Sequence, residues 1–263
     1  MDKLRFKWYG TATILLEQNG TSLLFDPFFP LNKNVFQPPI NEFITADNIF
    51  ITHDHYDHIS AIPEIVKRSN KPLTIYCTRR AQDILISRGI NNSQICCINP
   101  GDTVEPGPFE VRVLKSEHII FNKGLILKTL INPRVIYYWK NLRQMMHTGD
   151  KSDIEMETVV YDISVLNKRI LLMGSLNLDT ETEYKPGADL LILPFQGRSD
   201  ISNYAIPIVS RLKPKKIFLD HFDNTFPPLT SSVDTKRFIT LMHKEHPDIP
   251  VLCTTASVEW IDV

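Results

Sequence analysis

The sequence predicts an α/β fold in which two β-sheets lie face to face with helices on the outside. Three observations lead there. The chain opens on closely spaced strand-like segments, passes into β–α alternation, and after residue 157 begins a second β-rich part with β–α units of its own. With 263 residues, 43% of them hydrophobic and 22% charged, it can bury a full core. No linker, low-complexity tract or charge run divides it, so one domain over 1–263 is expected.

The elements follow in order. Leu4 to Trp8, Thr11 to Glu17 and Ser22 to Phe25 read as strands, with Gly10 and Asn19-Gly20 as turns. Asp26-Pro27 ends the third strand. Residues 27–47 carry Pro27, Pro30, Pro38 and Pro39 and read as an irregular loop. Ile49 to Thr52 is a short apolar strand. Ser60 is the expected cap of a helix running to about Ser69, with Pro63 in its first turn. Leu73 to Cys77 is a strand, and Arg80 to Arg88 a helix closed by Gly89. Gln94 to Ile98, Thr103 to Glu105 and Phe109 to Lys115 form a β-rich stretch. Residues 119–157 do not fit the alternation. Strands Thr158 to Val165 and Arg169 to Met173 follow, then Leu190 to Leu193, a helix over Asn203 to Leu212, and strand Lys216 to Leu219. A helix over Val233 to Glu245 and β segments at Val251 to Cys253 and Val258 to Ile261 complete the chain.

A net charge of −1 gives no global electrostatic case for nucleic acid or an acidic membrane surface. The N-terminus lacks the pattern of a signal peptide, and no apolar run reaches the length of a membrane span. Cys77, Cys96, Cys97 and Cys253 include no C-x-x-C pair and read as reduced, mostly buried thiols of a cytoplasmic protein.

Residues 53–58 read His-Asp-His-Tyr-Asp-His. Three imidazoles and two carboxylates in six positions are costly to hold together without a cation among them, and neutral imidazole and carboxylate are the usual ligands of zinc, manganese and iron. Alternate residues of an extended segment point opposite ways, so His53 and His55 are not an i, i+4 helical pair. A loop can wrap these two around one metal and offer Asp57 and His58 to a second. Of eight histidines, His118 and His221 also follow predicted strands directly. Alone, either is weak evidence, but a metal loop needs further ligands from elsewhere in the fold. His147, His243 and His246 are left over.

These motifs resemble the metallo-β-lactamase superfamily of metal-dependent hydrolases. The resemblance runs through Trp8-Tyr9-Gly10-Thr11-Ala12-Thr13, Leu24-Phe25-Asp26-Pro27, Ile51 to His58, His118, Leu171-Leu172-Met173-Gly174 and Phe218-Leu219-Asp220-His221. The Gly10-Thr11-Ala12 and Phe25-Asp26-Pro27 steps are similar to the branch that contains ascorbate-6-phosphate lactonase. The resemblance implies an αββα four-layer sandwich with two mixed sheets. It implies one metal at His53, His55 and His118, a second at Asp57, His58 and His221, and Asp26 hydrogen-bonded to a ligand. Zinc is the expected ion, one or two per chain, with manganese or iron as alternatives. One position departs from the family: its bridging aspartate after the strand pair is Ser175 here. Asp150 precedes that pair and Asp179 stands four positions late, so neither replaces it.

If both metals bind, a water between them is the expected nucleophile, with Asp57 as the catalytic residue that orients it or passes its proton on. The expected reaction is hydrolysis of an ester, lactone, amide or phosphoester of a small molecule. Residues 119–147 hold Lys123, Lys128, Arg134, Lys140 and Arg143 with no acid, beside Tyr137, Tyr138 and Trp139. The stretch 119–157 is therefore a candidate lid, with Lys123, Arg134 and His147 as candidate contacts to an anionic substrate. The competing readings are a mononuclear iron oxidoreductase on the same fold and a binding protein with a partly eroded site.

Overall fold

A computed structural model describes residues 3–121, 138–140, 143 and 157–263. The first sheet comprises β1 (Arg5–Trp8), β2 (Ile14–Gln18), β3 (Thr21–Phe25), β4 (Asn48–Phe50), β5 (Thr74–Cys77) and β6 (Ile95–Cys97), with β14 (Ile261–Asp262) along the outer edge of β1. Strands β1 to β3 are an antiparallel meander, and β3 to β6 run parallel. The β2–β3 turn sits where the sequence places it. Asn19 and Gly20 take φ of 52° and 78°, the left-handed pair that a two-residue hairpin matched to strand twist requires.

The second sheet repeats the plan. It holds β7 (Thr103–Val104), β8 (Glu110–Ser116), β9 (Thr158–Val165), β10 (Lys168–Met173), β11 (Leu190–Pro194), β12 (Ile217–Asp220) and β13 (Val251–Leu252), in the order β13-β12-β11-β10-β9-β8-β7. Strands β7 to β10 are antiparallel and β10 to β13 parallel. The continuous apolar runs of β11 and β12 are buried at every position, as parallel strands covered on both faces must be.

Apolar side chains define the layers. Phe6, Trp8, Phe25 and Phe50 of the first sheet meet Val111, Tyr161, Ile170, Ile192 and Phe218 of the second in one core between them. The outer face of the first sheet is covered by α1 (Ile40–Ile44), α2 (Tyr56–Ile59), α3 (Ile62–Arg68) and α4 (Arg79–Ser87), through Phe43, Ile59, Ile62, Ile65 and Leu85. That of the second is covered by α5 (Ile201–Leu212) and α6 (Lys236–Glu245). The result is the four-layer αββα sandwich.

Several local expectations need correction. The stretch 27–47 is not wholly irregular: α1 forms inside it, with Pro39 at the cap position where a missing N–H costs nothing. Ser60 does not cap α3. It ends the helical turn α2, and Ala61 takes the cap position without a side-chain bond. Strand β2 begins at Ile14, because Thr11 turns the chain with a φ of 49°. All four thiols are free, but only Cys77 is buried; Cys97 and Cys253 are exposed because they lie in or beside edge strands. Among the described residues no helix is long and apolar enough to cross a membrane.

Candidate metal centre

The candidate ligands come from the ends of three strands. Strand β4 runs out through Ile51 and Thr52 into His53; β8 leads to His118, and β12 to His221. His55 is still extended, with φ −63° and ψ 152°, and α2 starts immediately after it. That change of backbone divides the hexapeptide, sending His53 and His55 one way and Asp57 and His58 another.

Two groups result. Candidate donor atoms of His53, His55 and His118 lie within 4.8 Å of one another, and so do those of Asp57, His58 and His221. His53 Nε2 stands 3.1 Å from His55 Nδ1, and His221 Nε2 stands 3.3 Å from Asp57 Oδ2. The groups adjoin, since the rings of His53 and His58 have centroids 3.9 Å apart.

The hydrogen bonds behind these rings decide which nitrogens face the site. Asp26 is fully buried, and its Oδ1 accepts from the Thr52 N–H at 2.8 Å while Oδ2 accepts from Thr52 Oγ1 at 2.6 Å. His58 Nδ1 lies 2.9 Å from the same Oδ2. The Thr52 hydroxyl proton being spent on Asp26, its oxygen can only accept from His53 Nδ1, at 3.0 Å. His53 and His58 therefore carry the proton on Nδ1 and present bare Nε2. His118 Nδ1 contacts the Ile119 carbonyl at 3.0 Å, with the same consequence. The first group thus combines the bare Nε2 atoms of His53 and His118 with His55, and the second sets bare His58 Nε2 3.9 Å from the Asp57 carboxylate, so both donor sets fit a divalent metal. Around one tetrahedral zinc, neighbouring donor atoms stand roughly 3.3 Å apart.

Electrostatics agree. Burial, reinforced by the neighbouring imidazoles, holds His53 well below the usual histidine value and His118 at about 3, so both are neutral. Burial would likewise depress His221, but the hydrogen bond and charge of Asp57, with Asp220 and Asp223 nearby, raise it to about 9. Asp57 is opposed by burial, yet His58 and His221 hold its carboxyl far below the ordinary range. Without metal, Asp57 and His221 form an ion pair.

The backbone around His221 is strained. Its φ is 58°, uncommon for a residue with a side chain. The His221 N–H donates to the Thr11 carbonyl at 2.9 Å, and the Thr11 N–H donates to the Asp223 carboxylate at 3.1 Å. Asp26 shares the left-handed conformation at φ 45°. Asp54, between the two histidines, is turned away and pairs with Arg80 Nε at 2.5 Å.

Ser175 is 4% exposed, and its Oγ accepts from the Ile119 N–H at 2.9 Å. Gly174 before it has no room for a side chain, since a Cβ there would stand 2.2 Å from Thr52 Cβ. Asp179 is engaged elsewhere, with Lys115 Nζ at 2.7 Å. His246 bonds Ser210, away from both groups. Lys123, Arg134, His147 and Asp150, and most of the candidate lid 119–157, lie outside the described residues; Trp139 and Lys140 within it are exposed.

Thr52, Arg80 and Asp223 escaped the sequence reading. Only Asp223 left a signal there, a carboxylate two positions after a candidate ligand.

Two mixed sheets carrying clustered histidines and one aspartate past their strand ends define a metal-dependent hydrolase of the metallo-β-lactamase superfamily. The chain belongs to that superfamily: the family model described as beta-lactamase superfamily domain matches residues 21–202. A UPF0173 metal-dependent hydrolase of Archaeoglobus fulgidus is 28% identical over 234 residues, 85% of each chain. One from Pyrobaculum arsenaticum is 30% identical, over 62% of this chain and 69% of its own. Among solved structures, a metallo hydrolase from Ignicoccus hospitalis shares the fold with a TM-score of 0.66 at 16% identity, over 99% of this chain and 98% of that one.

Proposed function

We propose that the chain hydrolyses an ester, lactone, amide or phosphoester of an anionic small molecule, with zinc held by His53, His55 and His118 and a second zinc by Asp57, His58 and His221. The observation that carries this reading is the pair of adjoining donor groups, each within 4.8 Å, in which the hydrogen bonds of His53, His58 and His118 leave Nε2 bare. Bound there, the metal would supply an acidified water near neutral pH and a cationic partner for the substrate oxygen. Asp57, the carboxylate of the two donor groups, would orient that water and take up or return a proton at its Oδ atoms. Five imidazoles and one carboxylate leave the centre with excess positive charge when loaded, which favours an anionic substrate. Four free thiols support a reducing compartment, the cytoplasm.

The test is elemental analysis of the purified chain, followed by turnover of a panel of lactones, phosphodiesters and β-lactams. Bound zinc, with turnover abolished by His53→Ala and His221→Ala, is the expected result. A chain that takes up no divalent metal, or whose turnover survives both substitutions, overturns the reading. Ser175→Asp restores a bridging carboxylate and should hold the second equivalent more tightly than the native chain does.

A further inference from the structure

Ser175 stands where the superfamily resemblance leads one to expect a metal-bridging carboxylate, yet its oxygen is already in use. Ser175 Oγ accepts the Ile119 N–H at 2.9 Å in a buried setting. Ile119 in turn offers its carbonyl to His118 Nδ1 at 3.0 Å. A carbonyl oxygen only accepts, so the His118 proton is on Nδ1 and Nε2 holds the lone pair. Serine, main chain and imidazole thus form one connected run from the end of β10 to a candidate ligand.

The surroundings brace the same run. The Ile119 side chain is 6% exposed in the core under the second sheet. The next carbonyl, Ile120 O, accepts from Arg198 Nη1 at 2.9 Å, and Arg198 is itself fixed by Asp200 at 2.7 and 2.9 Å. Gly197 lets the turn pack close, since a Cβ there would stand 3.1 Å from Ile119 Cγ2. Arg198 grips the turn beyond Ile119, and Ser175 is the side chain that holds its N–H. A carboxylate at 175 drawn to two metals would be unavailable for that bond.

We propose that Ser175 is a positioning residue for His118: its hydroxyl fixes the Ile119 main chain, and through the Ile119 carbonyl it locks the ring with Nε2 facing His53 and His55. This rests on the reading of His53, His55 and His118 as ligands of one metal. The loss of the bridging carboxylate is on this account an exchange, a tie between metals given up for a rigid third ligand at the first site.

The primary test needs no metal. Long-range ¹H–¹⁵N spectra of the metal-free chain report the imidazole tautomers directly. Native His118 should be the Nδ1–H form; an Nε2–H form overturns the proposal outright. Ser175→Ala should leave His118 a mixture of tautomers, and Ser175→Thr, which keeps the hydroxyl, should restore the single form. Should the alanine variant fail to fold, Ser175→Cys fills the space with a poor acceptor and gives the same reading. Titration with Co(II) then supplies an affinity: Ser175→Ala should weaken the first site by roughly 10- to 100-fold, the usual effect of removing a group behind a ligand, with an altered visible spectrum. A single tautomer and unchanged cobalt affinity in the alanine variant would end the proposal while leaving the hydrolase reading intact. A native chain that binds no cobalt would sink the hydrolase reading and leave the tautomer result standing.

Discussion

Asp26 Oδ2 lies 2.9 Å from His58 Nδ1, and both side chains are closed to solvent. The same carboxylate accepts two hydrogen bonds from Thr52. It therefore serves both candidate sites, His58 directly and His53 through the Thr52 hydroxyl. Asp26→Asn replaces one acceptor with a donor and sets an N–H against one of those three. Loss of about 3 kcal/mol of stability in urea unfolding is expected, with metal affinity reduced roughly 10- to 100-fold. A variant that unfolds at the native midpoint and keeps its metal would refute the shared role.

Gly174 and Thr52 come from different sheets and touch. A Cβ at 174 would fall 2.2 Å from both Thr52 Cβ and Oγ1, so the backbones must separate to admit it. Gly174→Ala should cost roughly 2 kcal/mol or more as overpacking, seen as a lowered melting temperature. Thr52→Ala should not rescue it, because the Thr52 Cβ remains in the way.

The two sites should respond differently to pH. His221 is protonated in the metal-free chain up to about 9, so metal entering the second site expels its proton. Affinity there should rise by about tenfold per pH unit below that value and level off above it. His53 and His118, already neutral, add no such dependence near neutrality to the first site. Calorimetry in buffers of different ionisation enthalpy counts the protons. In the metal-free chain the raised His221 contributes stability fully present below about 6.5, the unfolded value, and lost as pH rises through about 9. Urea midpoints in chelator, compared with His221→Gln, isolate that contribution.

Arg80 neutralises Asp54, whose side chain is 2% exposed. Arg80→Ala leaves that charge buried alone beside His53 and His55. Because Arg80 is itself 25% exposed, solvent screens part of the pair, and a loss of about 2 kcal/mol is expected rather than the full buried-pair value. The double variant with Asp54→Asn should recover much of it; additive losses would show the pair to be uncoupled.

What the sequence made legible follows from the range of the forces involved. The Asn19-Gly20 hairpin depends on two adjacent residues, and the hexapeptide on residue types that metals select, so both are written locally. The turn Tyr56–Ile59 is too short to show a period, and prolines masked α1. Thr52, Asp54 with Arg80, and Asp223 work through contacts between distant segments, which no local pattern records. Ser175 was visible as a departure, but its bond to Ile119 was not.

The core between the sheets reaches further than stability. Phe218 lies on β12 three residues ahead of His221, and its ring meets Phe6 of β1 edge to face at 4.9 Å. Strand β12 delivers a ligand from one sheet to a loop rooted in the other. The angle between the sheets is thus a coordinate of the candidate metal centre, and an aromatic pair that touches none of the six candidate ligands takes part in setting how His221 stands against Asp57 and His58.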